Sequence, residues 1–548
     1  MGANVSKDTA SSPAAAPTAS RAVQRLNEKI PAPTASTTYA NASASLHHSA
    51  DRLNRIEAES HYAATNNNNG SSGNHRDRKV ITSAQVTMSS INSWSKAAFE
   101  LPTSRLASMV LHNADINTSL HSRAAEIADT HVFNIRIPEE GRPVVNQRSS
   151  GRCWLFALTN CIRLEVIKKF DLPEFELSQS YLHWWDKLEK SNYFLENMID
   201  LIEEPLDSRL VNYLLQAPVN DGGQWDMSTN LVVRYGVIPK HLFPESWTSS
   251  NTGKFNQLLT AKLREYALEL RDLRTSTLNR TSALSHAERD AAVLSVLRTR
   301  KEAQMAEVYR MLAIAYGEPP KPDDEITFEF VDKKGKFHSI TTTPVQFQIE
   351  HTGTFTAKGS LSLVHDPRRE PGNLITVSRL GNIVGMQPVL YVLSTPKLMK
   401  EAVIRTLKAG FPVFCGSDFG HGVDSKTGIM DPKLIGVELA FNIKLGMSKE
   451  ERINTGESQM THATVITAVH LDQKTGKPIR WRIENSWGAD VGEKGYFVMT
   501  DAWFDEWIFQ VVIRKEFARP QDWAVFQKGV VEGETESLPP YDPFGALA

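Results

Sequence analysis

One junction limits what this chain can fold into more than any other. At Cys153 a loop of turn formers, Asn146-Gln147-Arg148-Ser149-Ser150-Gly151-Arg152, gives way to an apolar helical pattern that runs to about Phe170. Far downstream, Thr461-His462-Ala463 opens one strand-like run and Glu484-Asn485-Ser486-Trp487-Gly488 closes another. Residues 464–471 and 478–484 flank Lys474-Thr475-Gly476-Lys477 and read as a hairpin, with His462 and Asn485 at its outer ends. Such a hairpin sets the two side chains together across a sheet, opposite the helix that begins at Cys153.

The three residue types are chemically complementary. A thiolate is the nucleophile, and a free thiol is mostly protonated at neutral pH. The positive end of the helix starting at Cys153 and an imidazolium from His462 are both expected to lower the thiol pKa. His462 then protonates a leaving amine, and Asn485 at its far ring nitrogen sets the tautomer. Trp487, two residues on, covers that hydrogen bond from water. Gln147, six residues before the thiol, is placed to join the Cys153 backbone N–H in holding an oxyanion. Each type alone is ordinary: a cysteine at a helix start packs, Asn-Ser in a loop makes turns, and most of the sixteen histidines are structural. Their joint occurrence is what points to a thiol hydrolase.

With these motifs the chain resembles papain-like cysteine peptidases and, within them, the bleomycin hydrolase family. Further matching pieces are Phe175-Glu176-Leu177-Ser178-Gln179-Ser180-Tyr181, Asp221-Gly222-Gly223-Gln224, Met460-Thr461-His462-Ala463 and the terminal Asp542-Pro543-Phe544-Gly545-Ala546-Leu547-Ala548. The resemblance runs from about Ile91 to the last residue. Two departures from ordinary papains favour that branch: Arg152 replaces a small residue before the thiol, and His462 lies 309 positions after Cys153, where papains keep about 130–150. The resemblance implies an α+β fold, a papain-like pair of lobes, one helical and one β-sheet, with a large helical insertion. It also implies a cysteine aminopeptidase acting on peptides with free N-termini and on amides such as bleomycin, assembled as a homohexamer. In that family the C-terminal tail lies in the active-site cleft. The Ala548 carboxylate then pairs with the substrate α-amine and leaves room for about one residue before the scissile bond.

The expected organisation is a disordered extension over residues 1–87, a peptidase domain over 88–538 with its insertion at about 185–345, and a tail over 539–548. The extension is rich in Ala, Ser, Thr and Asn, and its nine basic and six acidic residues give a mild +3. Residues 255–273 and 286–316 carry apolar residues at helical spacing, and 326–340 alternates across a Lys-Lys-Gly turn as a hairpin. The helical region either solvates itself or serves subunit assembly. Asp221-Gly222-Gly223-Gln224-Trp225 reads either as a strip where backbone approaches substrate or as plain turn chemistry. Asp418 and His421 sit in a glycine-rich loop without a third ligand, so no metal and no cofactor are expected.

Only three cysteines are present, Cys153, Cys161 and Cys415, which offers no disulfide framework and suits a reducing compartment. There is no apolar run of membrane-spanning length and no hydrophobic signal peptide. A net charge of −2 makes no general case for nucleic acid. The short basic clusters at Lys333-Lys334-Gly335-Lys336 and Arg368-Arg369 support it weakly. Met1-Gly2-Ala3-Asn4-Val5-Ser6 fits the myristoylation pattern at Gly2, which would add weak, reversible membrane contact. A plain acetylated tail and a mitochondrial presequence are the alternatives, and initiation at Met88 would remove the segment. Cytoplasmic location is expected, with mitochondrial or membrane-associated forms arising from this extension. An endopeptidase is the alternative activity, and the tail discriminates the two.

Overall fold

The computed structural model describes residues 84–353, 359–533 and 535–546. Two compact units divide the chain, Met1–Ile91 and Asn92–Ala548, and the second carries everything described below. The expected disorder over residues 1–87 therefore falls almost wholly outside the described residues, as does Gly2.

Helices α1 (Pro102–Leu111), α2 (Cys153–Phe170), α3 (Gln179–Asp200), α4 (Arg209–Gln216), α5 (Trp225–Tyr235), α6 (Gly253–Arg280) and α7 (His286–Tyr316) precede most of the sheet. Helix α2 spans the range its apolar pattern predicts. It ends where Asp171 turns into the left-handed region at φ 48°. Helix α3 is started by Ser178, whose hydroxyl accepts the N–H of Tyr181. Helix α7 starts at a capping box between Ser285 and Glu288 and stops at Gly317 with φ 86°. Along α7 the buried positions Val293, Leu297, Lys301, Gln304, Val308, Leu312 and Tyr316 form a single stripe. That stripe packs on α6 and α3.

The strands are β1 (Ile135–Arg136), β2 (Ile326–Val331), β3 (Phe337–Thr342), β4 (Ser360–Val364), β5 (Leu374–Val377), β6 (Leu390–Leu393), β7 (Val413–Ser417), β8 (Val423–Asp424), β9 (Ile429–Met430), β10 (His462–Leu471), β11 (Pro478–Glu484), β12 (Tyr496–Thr500), β13 (Ile508–Arg514) and β14 (Glu536–Leu538). Strands β2 and β3 form the expected separate hairpin. The rest form one sheet ordered β14-β5-β6-β4-β13-β7-β10-β11-β12-β9-β8, with β1 added on β10.

Strand β10 is buried along most of its length, because the sheet is covered on both faces. Val465 joins the core shared with α2 and α3, while the next residue, Ile466, joins a second core under α8 (Pro396–Lys408). Register does the rest. Strands β10 and β11 are antiparallel with Val465 opposite Glu484, so the start of β10 and the end of β11 lie at the same edge. Buried Arg163 of α2 pairs with Glu484 at 2.7 Å and donates to the Pro143 carbonyl at 2.8 Å, which ties the helix to that edge.

Candidate active site

The loop before the thiol is held by the strand edge. Gln147 N–H donates to the Ser486 carbonyl at 2.7 Å, and Gly488 N–H donates to the Val145 carbonyl at 2.9 Å. A Cβ on Gly488, which has φ +84°, would meet the Asn146 side chain at 2.6 Å, so this crossing requires glycine. The Gln147 amide is itself fixed: its Oε1 accepts from Ser486 Oγ and its Nε2 donates to the Ser150 carbonyl, both at 2.6 Å. The residue expected to steady an oxyanion is thus locked to the segment that bears Asn485.

Cys153 is buried at the first turn of α2, and the backbone N–H of Ala463, the residue after His462, favours its thiolate. His462 Nε2 lies 2.9 Å from Asn485 Oδ1. Asn485 Oδ1 also accepts the Ser486 N–H at 2.8 Å, so its oxygen faces the ring as an acceptor. The imidazole then carries its proton on Nε2 and leaves Nδ1 for proton exchange. His462 and Asn485 are thus in contact at the start of β10, against which α2, the helix of Cys153, packs.

Two aromatic rings close over the imidazole. Trp487 lies at a ring-centroid distance of 5.1 Å, as its position in the sequence suggests. Phe419 meets His462 edge-on at 4.8 Å and Trp487 at 5.2 Å. Phe419 was not legible as a site residue. It stands in the glycine-rich loop after β7, where Asp418 pairs instead with His421 at 3.0 Å and Ser458 at 2.7 Å.

Burial overturns one expectation. The thiol was expected to be acidified by the helix end and an imidazolium. Instead, desolvation pushes Cys153 up to about 11 against the backbone donors of Ala463 and Trp154. Desolvation also pushes His462 down to about 4, with the Asn485 hydrogen bond opposing it. Burial thus works against the charged form of both groups. A helix end cannot supply what a water-free pocket removes from the charged form.

The glycine strip has a packing role that turn chemistry does not explain. A Cβ on Gly223 would meet the Trp154 indole at 2.6 Å. Lys190 Nζ donates to the Gly222 carbonyl at 2.5 Å, and Lys187 Nζ to the Asn220 carbonyl at 2.9 Å. Arg152, the departure from the papain pattern, is fully buried and pairs with Glu245 at 3.0 Å. A small residue there would leave Glu245 with only the more distant Lys240, at 3.9 Å.

The terminal segment runs along the same strip. Strand β14 pairs in parallel with β5, Asp542 meets Arg368 at 2.9 Å, and Phe544 is buried against Tyr391 and Phe509. Gln224 Nε2 then donates to the Ala546 carbonyl at 2.8 Å. Gly545 and Ala546 border a cavity of about 330 Å³ shared with Lys190, Tyr213 and Asn220. Ala548 lies outside the described residues.

Known proteins are similar to this chain over most of its length. The Peptidase C1-like family matches residues 85–545. Cysteine proteinase 1, mitochondrial, of Saccharomyces cerevisiae is 40% identical over 471 residues, covering 85% of this chain and 94% of the yeast one. Human bleomycin hydrolase is 41% identical over 426 residues, covering 76% of this chain and 89% of its own. The crystal structure of PepW from Lactobacillus rhamnosis HN001 superposes with a TM-score of 0.78 at 38% identity, covering 85% of this chain and all of that one. The motif resemblance and these relatives agree.

Proposed function

Because this chain belongs to the Peptidase C1-like family and is a papain-like cysteine peptidase, we propose that it is an aminopeptidase that removes residues from the amino ends of peptides. Cys153 is the nucleophile in this reading. Its proton passes to His462 Nδ1 as the sulfur attacks the substrate carbonyl carbon. The oxyanion gathers the Cys153 backbone N–H and the Gln147 amide. Collapse breaks the C–N bond, and the imidazolium proton goes to the leaving amine. Water then attacks the thioester, giving its proton to His462, and the released sulfur takes that proton back. The supporting geometry is the 2.9 Å contact of His462 with Asn485 and the packing of α2 against β10, which begins at His462.

The observation that carries the aminopeptidase reading is the hydrogen bond from Gln224 to the Ala546 carbonyl. It holds the terminal segment beside the glycine strip, which in this reading lines the cleft a longer peptide would occupy. In this reading the Ala548 carboxylate pairs with the substrate α-ammonium and limits access to about one residue. Bleomycin and similar amides are a second substrate class, suggested by the name of the human relative. The setting is intracellular peptide turnover and detoxification, in the cytoplasm or, as the yeast relative's name suggests, the mitochondrion.

Self-association into a homohexamer is supported by exposed apolar side chains: Leu106 and Met109 of α1, which touches α9 (Val437–Phe441), and Leu439 and Leu445. Sedimentation velocity tests it, since a monomer would remove the assembly from this reading. Nucleic acid gains little support, because Arg368 and Arg369 are paired with Asp366, Asp542 and Glu536. Acylation of Gly2 would add weak membrane contact. Labelling with a clickable myristate analogue decides it.

The central test compares free and N-acetylated aminoacyl fluorogenic amides with a longer internally quenched peptide. Wild type, Cys153→Ala and a variant lacking Ala548 are run side by side. Cleavage of free-amine substrates alone, lost in Cys153→Ala and extended to blocked peptides without Ala548, supports the tail-gated aminopeptidase. Equal cleavage of blocked peptides by the wild type means an endopeptidase with an open cleft.

A further inference from the structure

Behind the thiol-bearing turn lies a buried carboxylate that the steps above do not use. Asp221 collects donors from three separate parts of the fold. From the turn, the Gly151 N–H donates to it at 3.1 Å. From α3, Lys187 Nζ pairs with it at 2.7 Å, and His183 lies at 3.9 Å. From the start of α6, Asn256 Nδ2 donates at 2.8 Å and the Thr252 hydroxyl donates as well. Its backbone carbonyl accepts the Trp154 indole N–H at 2.6 Å. One residue thus grips the chain on both sides of Cys153, and the chain that follows it is the strip Gly222-Gly223-Gln224.

The charge is as informative as the geometry. A buried carboxyl would ordinarily take up a proton, but Lys187, then His183, together with the hydrogen bonds, outweigh burial and hold Asp221 well below the usual carboxylate range. It is an anion in the core. A neutral acceptor would satisfy the Gly151 N–H equally well. Only an anion also balances the buried Lys187 while drawing four donors to one point. Its charge even opposes thiolate formation, since it acts to raise the Cys153 pKa. The carboxylate is therefore not there to activate the sulfur.

We propose that Asp221 is a positioning residue for the nucleophile. It fixes the turn at 149–152 against the glycine strip, so that the Cys153 thiol and backbone N–H stand at a set distance from a carbonyl laid along that strip. This rests on Cys153 being the nucleophile. The anchoring from α6 makes the long helical hairpin part of the same support.

The test measures two reactions on each variant: steady-state hydrolysis of a free-amine aminoacyl amide, and alkylation of Cys153 by iodoacetamide. For Asp221→Ala, kcat is expected to fall about 100-fold with KM within about threefold, as a displacement of about 1 Å at the reacting atoms would produce. Alkylation, which needs the thiol but not the strip, stays within about threefold of wild type. Thr252→Val with Asn256→Ala removes two of the supports at a distance and guards against misfolding of the first variant. It is expected to lower kcat about tenfold with the same split. Unchanged kcat in both variants overturns the proposal, and so does a loss of alkylation in step with turnover, which marks a merely structural role. Cys153→Ala is run alongside. If it keeps turnover, the nucleophile reading fails and the role of Asp221 fails with it, an outcome distinct from the other two.

Discussion

The side-chain amide of Gln224 donates to the carbonyl of Ala546 at 2.8 Å, so a glycine-strip neighbour holds the terminal segment by its backbone. Arg368 holds the same segment at Asp542, Arg209 covers Tyr541 at 3.6 Å, and the buried ring of Phe544 sits between Tyr391 and Phe509. These anchors differ in strength, and that ranks their variants.

Gln224→Ala removes one hydrogen bond, worth about 0.5–1.5 kcal/mol, and should raise the ratio of blocked to free-amine peptide cleavage about three- to tenfold. Phe544→Ala removes a buried aromatic side chain, worth about 3–5 kcal/mol, and should raise that ratio further. Parallel assays with acetylated and free peptides give both numbers. The reverse order would mean that the segment is not held by its ring.

Arg163 and Glu484 form a buried pair between α2 and β11. Arg163→Met strands the carboxylate and should cost about 3–5 kcal/mol in denaturant unfolding. Burial already raises the Glu484 pKa against the opposing charge of Arg163, and loss of that cation raises it further. The native state then binds the extra proton, so the variant should recover stability relative to wild type as pH falls. A double change with Glu484→Gln should recover part of the loss at neutral pH.

Desolvation sets the thiol at about 11 and the imidazole at about 4. Between these values the free site is neutral, and His462 can take the thiol proton as the sulfur reacts. Iodoacetamide alkylation of Cys153 should stay nearly flat above pH 4 and fall below it, where His462 becomes protonated and stops acting as a base. In His462→Ala the rate should instead climb toward pH 11 with thiol ionisation. A wild-type rate that climbs steeply through pH 8–9 would show an ordinary, solvated thiol.

Trp487 and Phe419 keep water from the contact between His462 and Asn485. Asn485→Ala should lower kcat about 10- to 100-fold, a part of what proton transfer by a positioned histidine contributes. Trp487→Ala should cost about tenfold by admitting water to a hydrogen bond that is stronger when dry. Trp487→Phe, which keeps the cover, should cost less. Stopped-flow acylation rates separate these effects from product release.

Local pattern was enough to place α2 from Cys153 to Phe170, the hairpin with His462 and Asn485 at its outer ends, the helix over 286–316, and the helix over 255–273, which the structure extends to Gly253–Arg280. Periodicity, caps and turn residues act over a few positions, so a short window contains them. Cys153, His462 and Asn485 stood out as candidates for the same reason, since each sits where an element starts or stops.

The rest depends on residues that meet only after folding. No window around Phe419 shows that it faces His462, and none around Asp221 shows that Gly151, Lys187 and Asn256 converge on it. A helix end is a local property, whereas the burial that opposes thiolate formation is set by everything packed around Cys153. Local sequence dictates which groups are available and which elements carry them. The tertiary structure alone decided how dry the site is and what steadies it, because desolvation and long-range hydrogen bonding are properties of the packed chain.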